Sequence, residues 1–289
     1  MTQTSERSLA LLKEAQQYWS QLPRRKGSVL DSVRAALLGV VQGLTEFIPV
    51  SSSGHLTIVS TFFGVKLEGQ QLRVFFSILH LATLLAVVVF TRRDIAMIIK
   101  GIFCKEGNRE QAKSLLLLLV AATIPAGLAG VLFKDYIDFS GVRLAATLLF
   151  VTAAVLWLSE KLSGQRILFD MDFRSALLIG LFQALALFPG ISRSGMTIFG
   201  ALIIGLRRDE AVRFSFLMSL PIILAAGILD AGRAQLPAVP VILGSALAFV
   251  SGLFGLWFLK RIVMKGGLRA VSIYCIIVGG ISLFFAGGV

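Results

Sequence analysis

Long apolar runs alternate with short charged segments along almost the whole chain. Runs over residues 73–91, 114–133, 142–159, 213–230, 238–259 and 270–287 each approach the roughly 20 residues that carry a helix across a bilayer. Lys, Arg, Asp and Glu fall mainly between these runs, as in a multi-spanning membrane protein. Two further apolar stretches, 31–64 and 174–205, are long enough to cross, but Pro49 and Pro189-Gly190 interrupt them. Broken backbone is tolerated at membrane depth only where protein buries it or a wet cavity borders it, so both stretches read as re-entrant hairpins. The predicted fold is an all-α polytopic membrane protein.

The two broken stretches also match each other. Leu37 to Gly54 aligns without gaps on Leu178 to Gly195, and Gln42 falls on Gln183, an offset of 141 positions. Gly39/Gly180, Phe47/Phe188, Ser51/Ser192, Ser53/Ser194 and Gly54/Gly195 are among the identical pairs. Each half then holds one re-entrant hairpin and three spans. Three is odd, so the second half enters from the opposite side, which makes an inverted-topology repeat. The expected division is an N-terminal extension over 1–29, a first repeat over 30–160 and a second over 161–289. Residues 1–28 are polar and weakly amphipathic, in the manner of an interfacial helix. They lack the apolar core and cleavage site of a signal peptide.

Composition agrees with this class. The chain of 289 residues is 56% hydrophobic and 15% charged, with a mean hydropathy of +0.84. The net charge of +12 is mostly a topological signal. Sixteen Lys and Arg, among them Arg92, Arg93, Arg207 and Lys260, fall on one side of the spans. The opposite side has five in its loops, or eleven with the N-terminal region. The larger set belongs in the cytoplasm, where it meets anionic lipid headgroups. No basic stripe with interleaved aromatics suggests nucleic acid as a partner. Cys104 and Cys275, in a loop and a span, suggest neither a disulfide nor a metal site. Gly279, Gly280, Gly287 and Gly288 would allow close helix contact, as in a homodimer.

The polar residues inside the repeats carry the chemistry. Gln42 and Glu46 lie four apart and share a helix face. A carboxylate at this depth marks a functional site by default, although a hydrogen bond to a neighbouring helix would also explain it. Pro49 is followed by Ser51-Ser52-Ser53-Gly54-His55. One serine is explained as a helix N-cap; three hydroxyls with a histidine are not. One helical turn brings His55 near Ser52, as a base or acid beside a nucleophile. The second copy reads Ser192-Arg193-Ser194-Gly195-Met196-Thr197. Arg193 is the one charge between Ser175 and Leu206. At that depth it needs carbonyls, a bound anion or a carboxylate, and an ion pair with Glu46 would serve. Two helix N-termini, at Ser51–Ser53 and Ser192–Ser194, would meet near mid-membrane and favour a phosphate, with Arg193 as a bidentate clamp. Where the copies differ, Glu46 faces Leu187, Ser52 faces Arg193 and His55 faces Met196. That asymmetry favours catalysis on a phosphate-bearing amphiphile over permeation.

These two segments resemble the signature motifs of the bacterial undecaprenyl-diphosphate phosphatases, the bacitracin-resistance protein family. The motifs are Glu/Gln-x-x-x-Glu leading into a serine-rich loop and His, and Pro-Gly-x-Ser-Arg-Ser-x-x-Thr. Both are matched, with Gln42 in the first position, and the resemblance spans about residues 30–289. It implies hydrolysis of undecaprenyl diphosphate to the monophosphate and phosphate, recycling the lipid carrier of cell-wall synthesis. It further implies a multi-pass protein of the bacterial inner membrane, an active site facing the periplasm, and help from a divalent cation, Mg²⁺ or Ca²⁺. Position by position, Ser52 is the implied nucleophile, with His55 its partner or an alternative nucleophile. Arg193 would hold the diphosphate. Glu46 and Gln42 would serve metal binding or acid/base work, and Ser51, Ser53, Ser192, Ser194 and Thr197 would donate to phosphate. Gln42 removes one carboxylate from a two-carboxylate metal site. The rival reading is a carrier of polyprenyl phosphate, since inverted repeats with broken helices also build secondary transporters.

Overall fold

The computed structural model describes residues 30–65, 67, 69–104, 109–133, 141–229 and 235–286. The expected interfacial helix within 1–29, the loop bases Lys66, Lys105, Lys134 and Arg233, and Gly287 and Gly288 lie outside them. Every element among the described residues is helical, apart from one isolated bridge between Arg166 and Leu206. In chain order they are α1 (Ser32–Phe47), α2 (Ser52–Phe62), α3 (Gly69–Phe90), α4 (Arg92–Ile99), α5 (Arg109–Phe133), α6 (Val142–Ser159), α7 (Phe173–Leu185), α8 (Arg193–Ile203), α9 (Arg208–Leu229), α10 (Ala238–Lys265) and α11 (Leu268–Ala286). The six helices α3, α5, α6, α9, α10 and α11 are long and apolar enough to cross a membrane. They coincide with the six expected spans, mostly starting a few residues earlier. Pro125 and Pro221 sit inside α5 and α9 without ending them, as neighbouring helices allow in a membrane.

Sequence periodicity did not anticipate α4. The chain turns at Thr91, whose hydroxyl donates back to the Val87 carbonyl. It then runs as a short helix with no buried residue and one wide π turn over Lys100–Cys104. Charged and apolar residues mix here at a period too short to register as a span.

Each interrupted stretch is a pair of helices. α1 has 16 residues, a length of about 24 Å, and α2 and α8 have 11 each. The pairs start alike. Asp31 and Asp172 cap α1 and α7, accepting from the N–H groups of Arg34 and Ser175. Those bonds hold both carboxyls below their ordinary range, through the Arg34 N–H for Asp31 and through Ser175 for Asp172. The helices α2 and α8 then begin at Ser52 and Arg193, positions that share the 141-residue spacing of the sequence match.

Glycine sets how the pairs pack. α1 lies along α10, from the later half of the chain, while α7 lies along α5, from the earlier half. A Cβ on Gly39 would fall 2.1 Å from the Gly244 carbonyl oxygen, and one on Gly43 would fall 2.4 Å from that of Ala248. The equivalent of Gly39, Gly180, is held as tightly: its Cβ would lie 2.4 Å from the Ala122 oxygen. With little hydrophobic drive between helices in lipid, such close backbone approach provides the association. Gly279 is used in the same way between α11 and α6, 2.9 Å from the Ala146 oxygen, whereas Gly280 faces open space. Of the glycines expected to offer a dimer contact, Gly279 is thus committed within the chain.

Adding one methyl at Gly39 must therefore push α1 off α10. Gly39→Ala is expected to cost about 1–3 kcal/mol, the range for overpacking, and to lower the melting temperature in detergent. Gly127→Ala, with nothing within 4 Å of the new Cβ, should leave it unchanged.

Candidate active site

The site forms where the two helix pairs break. α1 ends at Phe47, and the turn through Ile48 and Pro49 closes with the Val50 N–H donating to the Ile48 carbonyl at 2.7 Å. Ser51 then adopts φ 67° and ψ 97°, the one non-glycine residue with positive φ among those described. That conformation costs of order 1–3 kcal/mol and persists only when its surroundings hold it. The second copy places the left-handed residue earlier, at Gly190 (φ 101°). A Cβ there would fall 2.2 Å from the Ala145 oxygen, so glycine is required on both counts.

Hydrogen bonds tie the two breaks together. Ser51 Oγ accepts from the Gly54 N–H of its own helix at 3.3 Å and from the Gly190 N–H of the other break at 3.0 Å. Thr152 on α6 steadies the second break: its hydroxyl donates to the Gly190 carbonyl at 2.7 Å and accepts from the Ser192 N–H at 2.9 Å. Ser192 Oγ caps α8 by accepting from the Gly195 N–H at 3.2 Å. The next N–H groups of each helix, those of Ser52 and Ser53 and of Arg193 and Ser194, have no intrahelical acceptor.

Glu46 is the hub. It is 7% exposed, and four side chains, those of Arg193, Ser52, Gln42 and His80, converge on its carboxylate. Oε1 accepts from Arg193 at 2.6 Å. Oε2 accepts from Ser52 Oγ at 2.7 Å and from Gln42 Nε2 at 3.0 Å, with His80 Nε2 3.5 Å away. The structure thus brings together Gln42, Glu46, Ser52 and Arg193 as the sequence anticipated, and the ion pair foreseen for Arg193 is present.

Other expectations are corrected by geometry. His55 does not face Ser52. Its Nδ1 lies 2.9 Å from the Ser51 carbonyl and its Nε2 2.9 Å from the Tyr274 hydroxyl, because the ring points back along α2 and across to α11. Glu46 holds the Ser52 hydroxyl in its place. Ser51 and Ser192, expected to donate to phosphate, accept backbone N–H groups as caps and, for Ser51, as a cross-link, and as acceptors there each keeps a hydroxyl proton with which to donate. Thr197 also has a framework role: its hydroxyl contacts the carbonyls of Arg193 and Ser194 and Ser215 Oγ, the last at 2.7 Å. Ser53 and Ser194 lie 3.4 Å and 3.2 Å from the hydroxyls of Ser51 and Ser192.

Sequence reasoning missed three residues. His80 sits in a span and is ionisable, a signal that should have singled it out; its Nδ1 donates to the Phe76 carbonyl at 2.7 Å. Thr152 and Tyr274 reach the site from α6 and α11, and a hydroxyl within an apolar span gave no comparable signal. Gln183, the counterpart of Gln42, is buried with neither amide atom hydrogen-bonded.

The fit to a cation can be tested on the donor set. Among the described residues no group of three or more His, Cys, Asp or Glu is placed to hold a metal ion. The site offers one carboxylate, with Oε1 on Arg193, and one buried acceptor without a donor, Gln42 Oε1. Two oxygens do not make a resident cage. They suit a cation whose remaining ligands come from phosphate oxygens.

Comparison with known proteins places the chain in a family. Residues 35–281 match the family model described as bacitracin resistance protein BacA. An undecaprenyl-diphosphatase of Thermosipho africanus is 43% identical over 250 residues, covering 86% of this chain and 98% of that protein. One from Methanococcus vannielii is 40% identical over 252 residues, covering 86% and 98%. Undecaprenyl-diphosphatase 3 of Bacillus anthracis is 41% identical over 261 residues, covering 86% and 96%. The chain belongs to the bacitracin resistance protein family.

The buried pair makes a stability prediction independent of function. Removing one partner of such a pair leaves an uncompensated charge, a loss of about 3–5 kcal/mol. Arg193→Met should therefore lower the melting temperature in detergent markedly, and adding Glu46→Gln should recover most of it. A double variant no more stable than Arg193→Met would mean that the pair is not what couples the two breaks.

Proposed function

We propose that the chain is a membrane-embedded phosphatase that hydrolyses undecaprenyl diphosphate to undecaprenyl phosphate and inorganic phosphate. The observation that carries this reading is Ser52 Oγ, at a helix N-terminus, donating at 2.7 Å to a buried carboxylate that Arg193 holds from the other side. A hydroxyl with an adjacent base is the arrangement of an activated nucleophile. The substrate class follows from the relatives' names, the phosphate-binding character of two helix N-termini and the surrounding apolar helices.

The terminal phosphate of the substrate lies between the starts of α2 and α8. Arg193 releases Glu46 and takes phosphate oxygens with two parallel N–H groups. Glu46 accepts the Ser52 proton as Oγ attacks the terminal phosphorus. The bond from that phosphorus to the bridging oxygen breaks, and the oxygen leaves on undecaprenyl phosphate. Glu46 passes that proton on to the departing undecaprenyl phosphate; water then attacks the phosphoserine and gives a proton to the free carboxylate, and phosphate leaves as Glu46 returns this proton to Ser52 Oγ. N–H groups and Arg193 aimed at the charge that develops on phosphorus supply the acceleration. A divalent cation arriving with the diphosphate would be held on the protein side by Gln42 Oε1 and Glu46, and when bound it neutralises phosphate charge.

The finer topology belongs to the same reading. Each broken helix pair enters and leaves on one side of the membrane, the second from the side opposite to the first, in inverted halves spanning 30–160 and 161–289. The site faces the periplasm across the bacterial inner membrane, with the excess of basic loops in the cytoplasm. Recycling the lipid carrier from that side would confer bacitracin resistance.

The test is phosphate release from undecaprenyl diphosphate by the purified protein in detergent. Ser52→Ala should abolish turnover, and Glu46→Gln should lower kcat by about 100-fold or more, at the lower edge of what a positioned base contributes. Arg193→Lys should also fail, because a point charge does not replace the guanidinium fork. A phosphoenzyme trapped by rapid acid quench should map to Ser52. Lipid translocation without phosphate release would support the carrier reading instead.

A further inference from the structure

Tyr274 lies on α11, far in sequence from either break, yet it touches the first one. Its hydroxyl is 2.9 Å from His55 Nε2, and its ring stacks on the imidazole with centroids 5.7 Å apart and planes 9° from parallel. We propose that Tyr274 is a positioning residue, which with His55 locks the strained Ser51 carbonyl and so aims Ser52 at Glu46.

The chain of bonds has one consistent direction. A carbonyl only accepts, so the 2.9 Å contact between His55 Nδ1 and Ser51 O places a proton on Nδ1. Nε2 then carries a lone pair, and the Tyr274 O–H donates into it. None of the ion pairs among the described residues involves His55, so no carboxylate calls for a second proton on the ring. The Ser51 carbonyl also accepts the backbone N–H of His55 at 3.1 Å. Two donors from one residue therefore fix the peptide that joins Ser51 to Ser52. This matters because Ser51 holds the left-handed conformation described above, and relaxing it would swing Ser52 Oγ away from Glu46 Oε2.

The geometry also removes His55 from the chemistry. Both ring nitrogens are engaged, neither with Ser52, and the residue is 5% exposed. α11 is a firm base for Tyr274. Ser272 Oγ donates to the Ala153 carbonyl at 2.7 Å, and the neighbouring Cys275 is fully buried. Tyr274 is 44% exposed, so it lies outside the buried core that a lost oxygen would leave hollow. The catalytic half of this inference rests on the phosphatase reading; the tautomer half does not.

The chain has two histidines, His55 and His80, so ¹⁵N-histidine labelling gives two ring spectra, separated by a His80→Gln variant. The His55 ring should appear neutral with its proton on Nδ1, and Tyr274→Phe should shift it to a mixture of tautomers. In the same preparations, phosphate release from farnesyl diphosphate should show kcat falling about 3–10-fold in Tyr274→Phe, the value of one neutral hydrogen bond, with KM unchanged. His55→Asn, whose amide nitrogen can stand in for Nδ1, should keep far more activity than His55→Ala. On that background Tyr274→Phe should change kcat less than twofold, since its acceptor is gone. A His55 proton on Nε2, an unchanged kcat in Tyr274→Phe, or a phosphohistidine at position 55 would each overturn the proposal. Wild-type protein that released no phosphate while His55 showed the Nδ1–H tautomer would refute the phosphatase reading and leave the lock standing.

Discussion

One contact organises this molecule: the ion pair between Glu46 and Arg193. Each partner comes from a different broken helix, and each is held in apolar surroundings where a lone charge would cost several kcal/mol. Pairing is the condition for either residue to sit where it does. The two breaks must therefore meet, and the rest of the structure arranges the meeting. Gly39 and Gly180 let the arms α1 and α7 press against long helices from opposite halves of the chain. Thr152 fixes the second break from α6, and Ser51 bonds across to Gly190. The strain stored at Ser51 is sustained by these contacts, and it buys the orientation of Ser52.

A buried pair is a poor source of stability in itself, since apolar residues of equal volume usually do as well. Its presence here points to use. An Arg whose partner in the resting protein is a carboxylate can exchange that partner for a phosphate without ever being unpaired. On the proposed chemistry the exchange frees one side of Glu46 as the Ser52 proton arrives on the other. The desolvation that makes an unpaired guanidinium costly at this depth is what favours an anion beside it.

Much of this was legible in the sequence because membrane physics leaves few choices. Six apolar runs of span length can only be helices, and they are. Gln42, Glu46, Ser52 and Arg193 were legible because polar groups at that depth stand out from their surroundings. What could not be read was direction. The i, i+3 spacing of Ser52 and His55 permits contact, but the side chain of a helical residue leans toward the helix N-terminus, and His55 reached the Ser51 carbonyl instead. Thr152, His80 and Tyr274 join the site from α6, α3 and α11. Their arrival depends on how whole helices pack, which no local spacing encodes. Ser51, Ser192 and Thr197 look like ligand donors in sequence, and the structure also uses their hydroxyls for caps and cross-links, a second use that local pattern does not separate from the first.

The repeat finally explains why the site has one carboxylate. Ser52 and Arg193 occupy equivalent positions, each the first residue of the helix after its break. The structure brings both helix starts to the same region, so these two residues approach one point from two sides. At that point stands Glu46, bound through Oε2 to Ser52 and through Oε1 to Arg193. Its own counterpart is Leu187, which brings no second charge to the junction. A carboxylate there would repel Glu46 across a low-dielectric gap and compete for the one guanidinium. On the proposed chemistry, the departures between the two matching segments make one helix start the nucleophile and the other the clamp, with a single base between them.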